Sequence, residues 1–176
     1  MVTSSTPDRP EERAENVLSI SRCKTLMYVL RNSGIRAQLY CGCAQNNPCY
    51  FSSRGNPDRN TNEFIVFRVH ELTVMVGFTI TPYQAHFQDG APSFAPCFVQ
   101  CDVFVPKIGR MQTNRNREPL KECDLLWSST SYPVSNEFKT QAFYFPKPMV
   151  INQSFFVRVN LIGKQQRQPI VDMNDY

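Results

Sequence analysis

Catalysis in this chain would have to be assembled from few parts. The sequence holds seven cysteines and two histidines, His70 and His86, beside fifteen carboxylate side chains. Cys41, Cys43 and Cys49 form the tightest thiol group, in the pattern Cys-x-Cys-x5-Cys. Structural zinc wants four ligands and commonly a gap of about two to four residues within a pair. Neither histidine is spaced to complete that set, so no metal site is expected. The odd cysteine count, together with a polar opening segment that lacks a secretory apolar stretch, points to free thiols in a reducing compartment. The expected location is therefore cytoplasmic or nuclear. His86 with Cys97 or Cys101 could be imagined as a nucleophilic dyad. Cys101, however, stands in an alternating apolar row with Val99 and Val103, which reads as core. Asp102 and Asp124 could be offered as paired carboxylates, but Asp102 reads as part of an exposed strand face. The chain has no Gly-rich phosphate loop, no Gly-x-Ser-x-Gly elbow and no helical histidine pair. It reads as a non-enzyme without a cofactor.

Recognition chemistry is easier to place. Thr81-Pro-Tyr-Gln-Ala-His-Phe-Gln-Asp-Gly-Ala-Pro-Ser-Phe94 follows an apolar strand and mixes aromatics, amides, a histidine and an acid. Tyr and Phe offer apolar contact area while Gln and His orient a polar partner. Tyr83, Gln84, His86, Phe87 and Gln88 are the candidate binding residues. The competing reading makes the same stretch a structural crossover whose aromatics cover the end of a β core. The formal net charge of +4 carries little meaning, because the basic residues are scattered. Their densest cluster, Arg110, Arg115, Arg117 and Lys121, has no interleaved aromatics, so it reads as a solvated loop and no nucleic-acid partner is expected. No apolar run reaches the ~18 residues of a spanning helix, and no membrane partner is expected. The sequon Asn152-Gln-Ser154 should stay unused in a reducing compartment.

The elements that must position these residues are mostly strands. At 176 residues, with 41% hydrophobic and 19% charged content, the chain suits one well-buried core rather than disorder. Thirteen Phe, seven Tyr and thirteen Pro favour β structure rich in turns. Residues 1–10 read as a disordered lead-in. Residues 11–33 read as a helix, with Glu11, Glu12 and Glu15 near its start and an apolar stripe of Val17, Ile20, Cys23, Leu26, Met27 and Leu30. Gly34 supplies a stop. Residues 34–176 read as a mainly β domain, an antiparallel sandwich of about seven strands. Its candidate strands are Ile35 to Cys43, Cys49 to Ser53, Phe64 to Val69, Leu72 to Ile80, Cys97 to Val105, Cys123 to Ser128, Phe138 to Phe145 and Ser154 to Ile162. His70-Glu71 is short enough for a hairpin or a corner between two of them. Residues 55–63, 81–94 and 106–122 are the long connections, where binding function tends to sit.

Several segments, in order, resemble one family. Cys49-Tyr-Phe-Ser-Ser-Arg-Gly-x-x-Asp58 is similar to the Tyr-Trp-Ser-Ser-x-Gly segment of a group of plant F-box proteins, with Phe51 in the Trp position. Ile80-Thr-Pro-Tyr-Gln-Ala-His-Phe-Gln-Asp-Gly90 resembles that group's Pro-Phe-x-Ala-x-Phe-Gln-x-Gly stretch. Phe145-Pro-Lys-Pro-Met-Val and Val159-Asn-Leu-Ile-Gly-Lys-Gln-Gln-Arg-Gln168 resemble its Pro-Glu-Pro-Val and Leu-Leu-Gly-x-x-Gln-x-Gln segments. The resemblance spans roughly residues 49–176. It implies the substrate-side, F-box-associated domain of a ubiquitin-ligase receptor, built as a galactose-binding-like jelly roll that recognises a protein substrate. It also implies that a Skp-type adaptor would be a partner only if an F-box lies outside this chain. The usual Leu-Pro opening of an F-box is absent, the helical segment is short for one, and the family continues past Tyr176 with another strand. A carbohydrate-binding jelly roll that uses the same rim is the alternative reading.

Overall fold

Two strands, each with a buried apolar row at alternate positions, build the centre of the core. Along β6 (Phe98–Pro106), Val99, Cys101 and Val103 are completely buried. Along β10 (Phe155–Ile162), Phe155, Val157 and Val159 turn the same way. A period of two puts successive side chains on opposite faces, so each strand keeps one face for the core. The strands pair antiparallel, with Val157 opposite Val103 and Val159 opposite Cys101. Full burial of Phe155 contributes on the order of 1.5–3 kcal/mol.

The computed structural model describes residues 2–10, 12–18, 50–54, 56, 58–69, 73–84, 92–107, 120–151 and 154–165. Around β10 and β6 stand β1 (Val2–Ser4), β2 (Asn62–Val69), β7 (Cys123–Ser128) and β8 (Tyr132–Pro133). The sheet runs β1-β2-β10-β6-β7, with β8 also pairing β6, and every pairing is antiparallel. A second sheet pairs β3 (Thr73–Ile80) with β9 (Gln141–Ile151). Met75, Phe78 and Ile80 of β3 and Phe145 and Ile151 of β9 share one hydrophobic cluster with the buried row of β6 and β10. Trp127 packs edge-on against Phe145, with ring centroids 4.8 Å apart. The short strands β4 (Tyr83–Gln84) and β5 (Ser93–Phe94) pair by themselves.

Two glycines are required by their surroundings. A Cβ on Gly77 would stand 2.2 Å from the Phe143 carbonyl oxygen, where β3 and β9 approach across a register shift. Gly163, just past β10, has φ of 67° and lies against the Cys97 side chain. Left-handed backbone is costly for any residue with a Cβ.

The fold departs from the sequence reading in three places. The expected lead-in of residues 1–10 carries β1, whose register sets Thr3 opposite Val66, and Ser5 donates its N–H to the Phe64 carbonyl at 3.0 Å. Its polar side chains hid the fact that the backbone supplies the bonds. Of the expected helix over 11–33, the described part is a 3-10 turn at Ala14–Leu18, and most of the remainder, including Gly34 and the Ile35 to Cys43 strand, lies outside the described residues. In the Cys49 to Ser53 segment, the described pairing is a single bridge between Pro7 and Ser53. Of the two connections expected between β2 and β3, the hairpin is excluded, because the strands belong to different sheets.

Candidate functional site

The Tyr50-Phe-Ser-Ser segment is held by the chain start. The Asp8 N–H donates to the Ser52 carbonyl and the Arg54 N–H to the Thr6 carbonyl, both at 2.9 Å. The Ser52 N–H donates to the Glu12 carbonyl at 3.3 Å, and Asn16 Nδ2 donates to the Tyr50 carbonyl at 3.1 Å. The 3-10 turn at Ala14–Leu18 packs against β1, and Ala14 is buried. This framework turns Tyr50 inward, where its hydroxyl donates to Glu12 Oε1 at 2.9 Å. Burial, then the hydrogen bond to Glu12 and the neighbouring Tyr83 and Glu12 charges, push the Tyr50 hydroxyl far above the ordinary tyrosine value. It therefore stays protonated and remains a donor.

Tyr83 reaches the same place from β4. Pro82 before it is buried, and β4 is fixed by pairing Tyr83 with Phe94 and Gln84 with Ser93. The Tyr83 and Tyr50 rings lie 4.4 Å apart at 31°. Aromatic pairs of this kind add about 0.5–1.5 kcal/mol beyond burial. Two segments that carry the family resemblance are thus joined in space through Tyr50 and Tyr83.

The chain is similar to a plant F-box protein. The relative, from Arabidopsis thaliana, shares 26% identity over an alignment of 131 residues, covering 69% of this chain and 34% of the relative. The chain therefore spans about a third of the length of the curated relative that it matches. No family model matches the chain, and no solved structure matches it.

The other sequence candidates scatter. Of the five proposed contacts, Tyr83 and Gln84 lie on β4, while His86, Phe87 and Gln88 are outside the described residues, as are Cys41, Cys43, Cys49 and His70. Cys101 is fully buried, and burial together with the adjacent Asp102 charge pushes its thiol up to about 12. A thiol of that acidity is not ionised near neutral pH and is a poor nucleophile. Asp102 faces away from the core, as its strand position requires, but it is 5% exposed rather than solvated. Arg158, Asn160 and Ser128 close over it. Asp124 instead pairs with Lys107 at 3.6 Å on the surface, so the two acids serve different cations. Gln165, in a segment that carries the resemblance, donates from its side chain to the Pro96 and Val134 carbonyls, a structural tie. No helix among the described residues is long and apolar enough to cross a membrane.

Glu12 and Tyr50 were not visible as site residues in the sequence. Glu12 read as helix-dipole decoration, and Tyr50 as one residue of a short strand. The one available signal was the aromatic-rich Tyr-Phe-Ser-Ser motif itself, since a motif residue with no role in a period-two core is free for another task.

Proposed function

We propose that this chain is a non-catalytic protein-binding module of the substrate-recognition type found in F-box proteins. The sheet built on β6 and β10 and the β3–β9 sheet are read as the halves of a β-sandwich of jelly-roll, galactose-binding-like form, a scaffold whose rim segments recognise a partner. The observation that carries the reading is the Tyr50–Tyr83 contact, which gathers two separated family-like segments into one aromatic site. Similarity to the Arabidopsis F-box protein supports the same assignment. In this reading the module works by holding a protein close to a ubiquitin ligase, in the cytoplasm or nucleus, and supplies proximity rather than covalent chemistry. A Skp-type adaptor joins only through an F-box outside these residues.

Photocrosslinking tests it. A benzophenone amino acid at position 84, beside Tyr83 on β4, should trap a discrete protein partner. The purified partner should then bind the chain directly, and Tyr83→Ala should weaken that binding by roughly tenfold, a loss typical of an aromatic anchor. Crosslinking to no protein, with strong retention on a glycan array instead, would favour the carbohydrate-binding alternative.

A further inference from the structure

Among the described residues, a carboxylate in this rim has fewer partners than its burial calls for. Glu12 is 7% exposed, and the Tyr50 hydroxyl donates to its Oε1 at 2.9 Å. No described residue donates to its Oε2. The cationic side chains nearest in sequence are used elsewhere or exposed: Arg13 Nε donates to the Pro10 carbonyl at 3.0 Å, and Arg9 is solvent-facing. Charges withdrawn from water are normally paired, because a single neutral donor compensates poorly for lost hydration. The half-buried Tyr50 lies beside this acid, and the half-buried Tyr83 ring lies against that of Tyr50. Aromatic faces attract cations, arginine above lysine because its flat guanidinium stacks while its N–H fork engages a carboxylate.

We propose that Glu12, Tyr50 and Tyr83 form a subsite for a cationic side chain, preferentially arginine, of a partner polypeptide. The inference rests on the protein-binding reading of the same rim and specifies what that rim accepts. Long-range attraction does not supply the selectivity, since the chain as a whole carries +4. Recognition is local: the guanidinium stacks on tyrosine and completes the hydrogen bonding of the Glu12 carboxylate.

Fluorescence anisotropy with labelled hexa-arginine, hexa-lysine, hexa-glutamate and glycine-serine hexapeptides separates the outcomes. Hexa-arginine should bind tightest. Glu12→Gln keeps an acceptor for Tyr50 but removes the charge, and should weaken arginine binding roughly tenfold. Asp124→Asn, which removes an equal charge outside the rim, should change it less than about twofold. Equal losses in the two variants would reduce the effect to net charge and overturn the subsite. Hexa-glutamate or the neutral peptide binding as tightly as hexa-arginine would overturn it too, as would no binding of hexa-arginine at all. None of those results touches the recognition reading, which the crosslink at position 84 decides separately. Should Glu12→Gln fail to fold, Tyr83→Ala carries the same test, with retained arginine binding as the overturning result.

Discussion

Asp102 of β6 and Arg158 of β10 stand directly opposite each other in the antiparallel register. The guanidinium donates twice to one carboxylate oxygen, from Nε at 3.2 Å and from Nη2 at 2.8 Å. Asn160 Nδ2 donates to the same oxygen at 2.7 Å, and Ser128 Oγ to the other at 2.7 Å. The arginine also lies over the Phe104 ring, 5.0 Å from its centroid. Residues of three neighbouring strands, β6, β7 and β10, are thereby tied on the face away from the shared core.

Removing the carboxylate strands its donors. Asp102→Ala should cost about 2–3 kcal/mol, at the lower end of what breaking a buried pair costs because Arg158 keeps partial access to water. Urea unfolding followed by the single tryptophan, Trp127, reads the change directly. A loss below about 0.5 kcal/mol would mark the network as a surface decoration.

The same group sets an acid limit. Burial pushes the Asp102 carboxyl up, but hydrogen bonds from Ser128, Asn160 and Arg158 and the Arg158 charge outweigh it, holding it below the ordinary value. A carboxyl depressed by folding contributes its full stabilisation above its unfolded value of about 3.9, and loses it as pH falls through the lower folded value. The wild-type urea midpoint should therefore drop more steeply below about pH 4 than that of Asp102→Asn, and the two curves should run parallel between pH 5 and 7. Parallel curves throughout would contradict the linkage.

Gly77→Ala should destabilise by about 2 kcal/mol or more, because the new methyl meets the Phe143 carbonyl and the β3–β9 pairing must open to admit it. Gly163→Ala should cost about 1–2 kcal/mol through its left-handed backbone. Thermal melts of both variants give the comparison; an unchanged Gly77→Ala melt would mean that the two strands approach less closely than described.

Cys101 should resist alkylation in the folded protein. Its thiol is buried and poorly ionised, whereas Cys97 is partly exposed. Iodoacetamide at pH 8 followed by peptide mass spectrometry should label Cys101 only after denaturant is added. Rapid native labelling of Cys101 would show that the core opens locally.

The long strands were legible because each has one buried face. β6 and β10 each carry a continuous apolar row at alternate positions, and the apolar rows of β2 and β3 announce themselves. β9 was harder. The sequence suggested Phe138 to Phe145, but the strand runs through Pro146 and Pro148 to Ile151. Proline donates no ladder bond and normally argues against a strand. Here the prolines fall within the register shift opposite Val76, where the ladder is already interrupted. β1, β4, β5 and β8 are too short to show a period at all. Of the candidate site, Tyr83 and Gln84 could be proposed from composition, but a buried Glu12 depends on contacts across 38 residues, as in its bond to Tyr50. Asp102 was placed on the correct face yet taken as solvated, since one strand's alternation cannot reveal that two neighbouring strands supply its donors.

The three residues of β1 have a use apart from the rim they help to frame. β2 is bonded to β10 on one side, and its other side is occupied by Val2–Ser4 and by Ser5, whose Oγ accepts the Phe64 N–H at 3.1 Å. Without them, Asn-Glu-Phe-Ile-Val-Phe-Arg-Val would present an open row of backbone donors and acceptors, a template for a second molecule. A chain shortened to begin at Thr6 should self-associate, visible as concentration-dependent oligomers in size-exclusion chromatography and light scattering. That result would make the first five residues a guard against aggregation, acting through the backbone of Val2–Ser4 and the Ser5 hydroxyl.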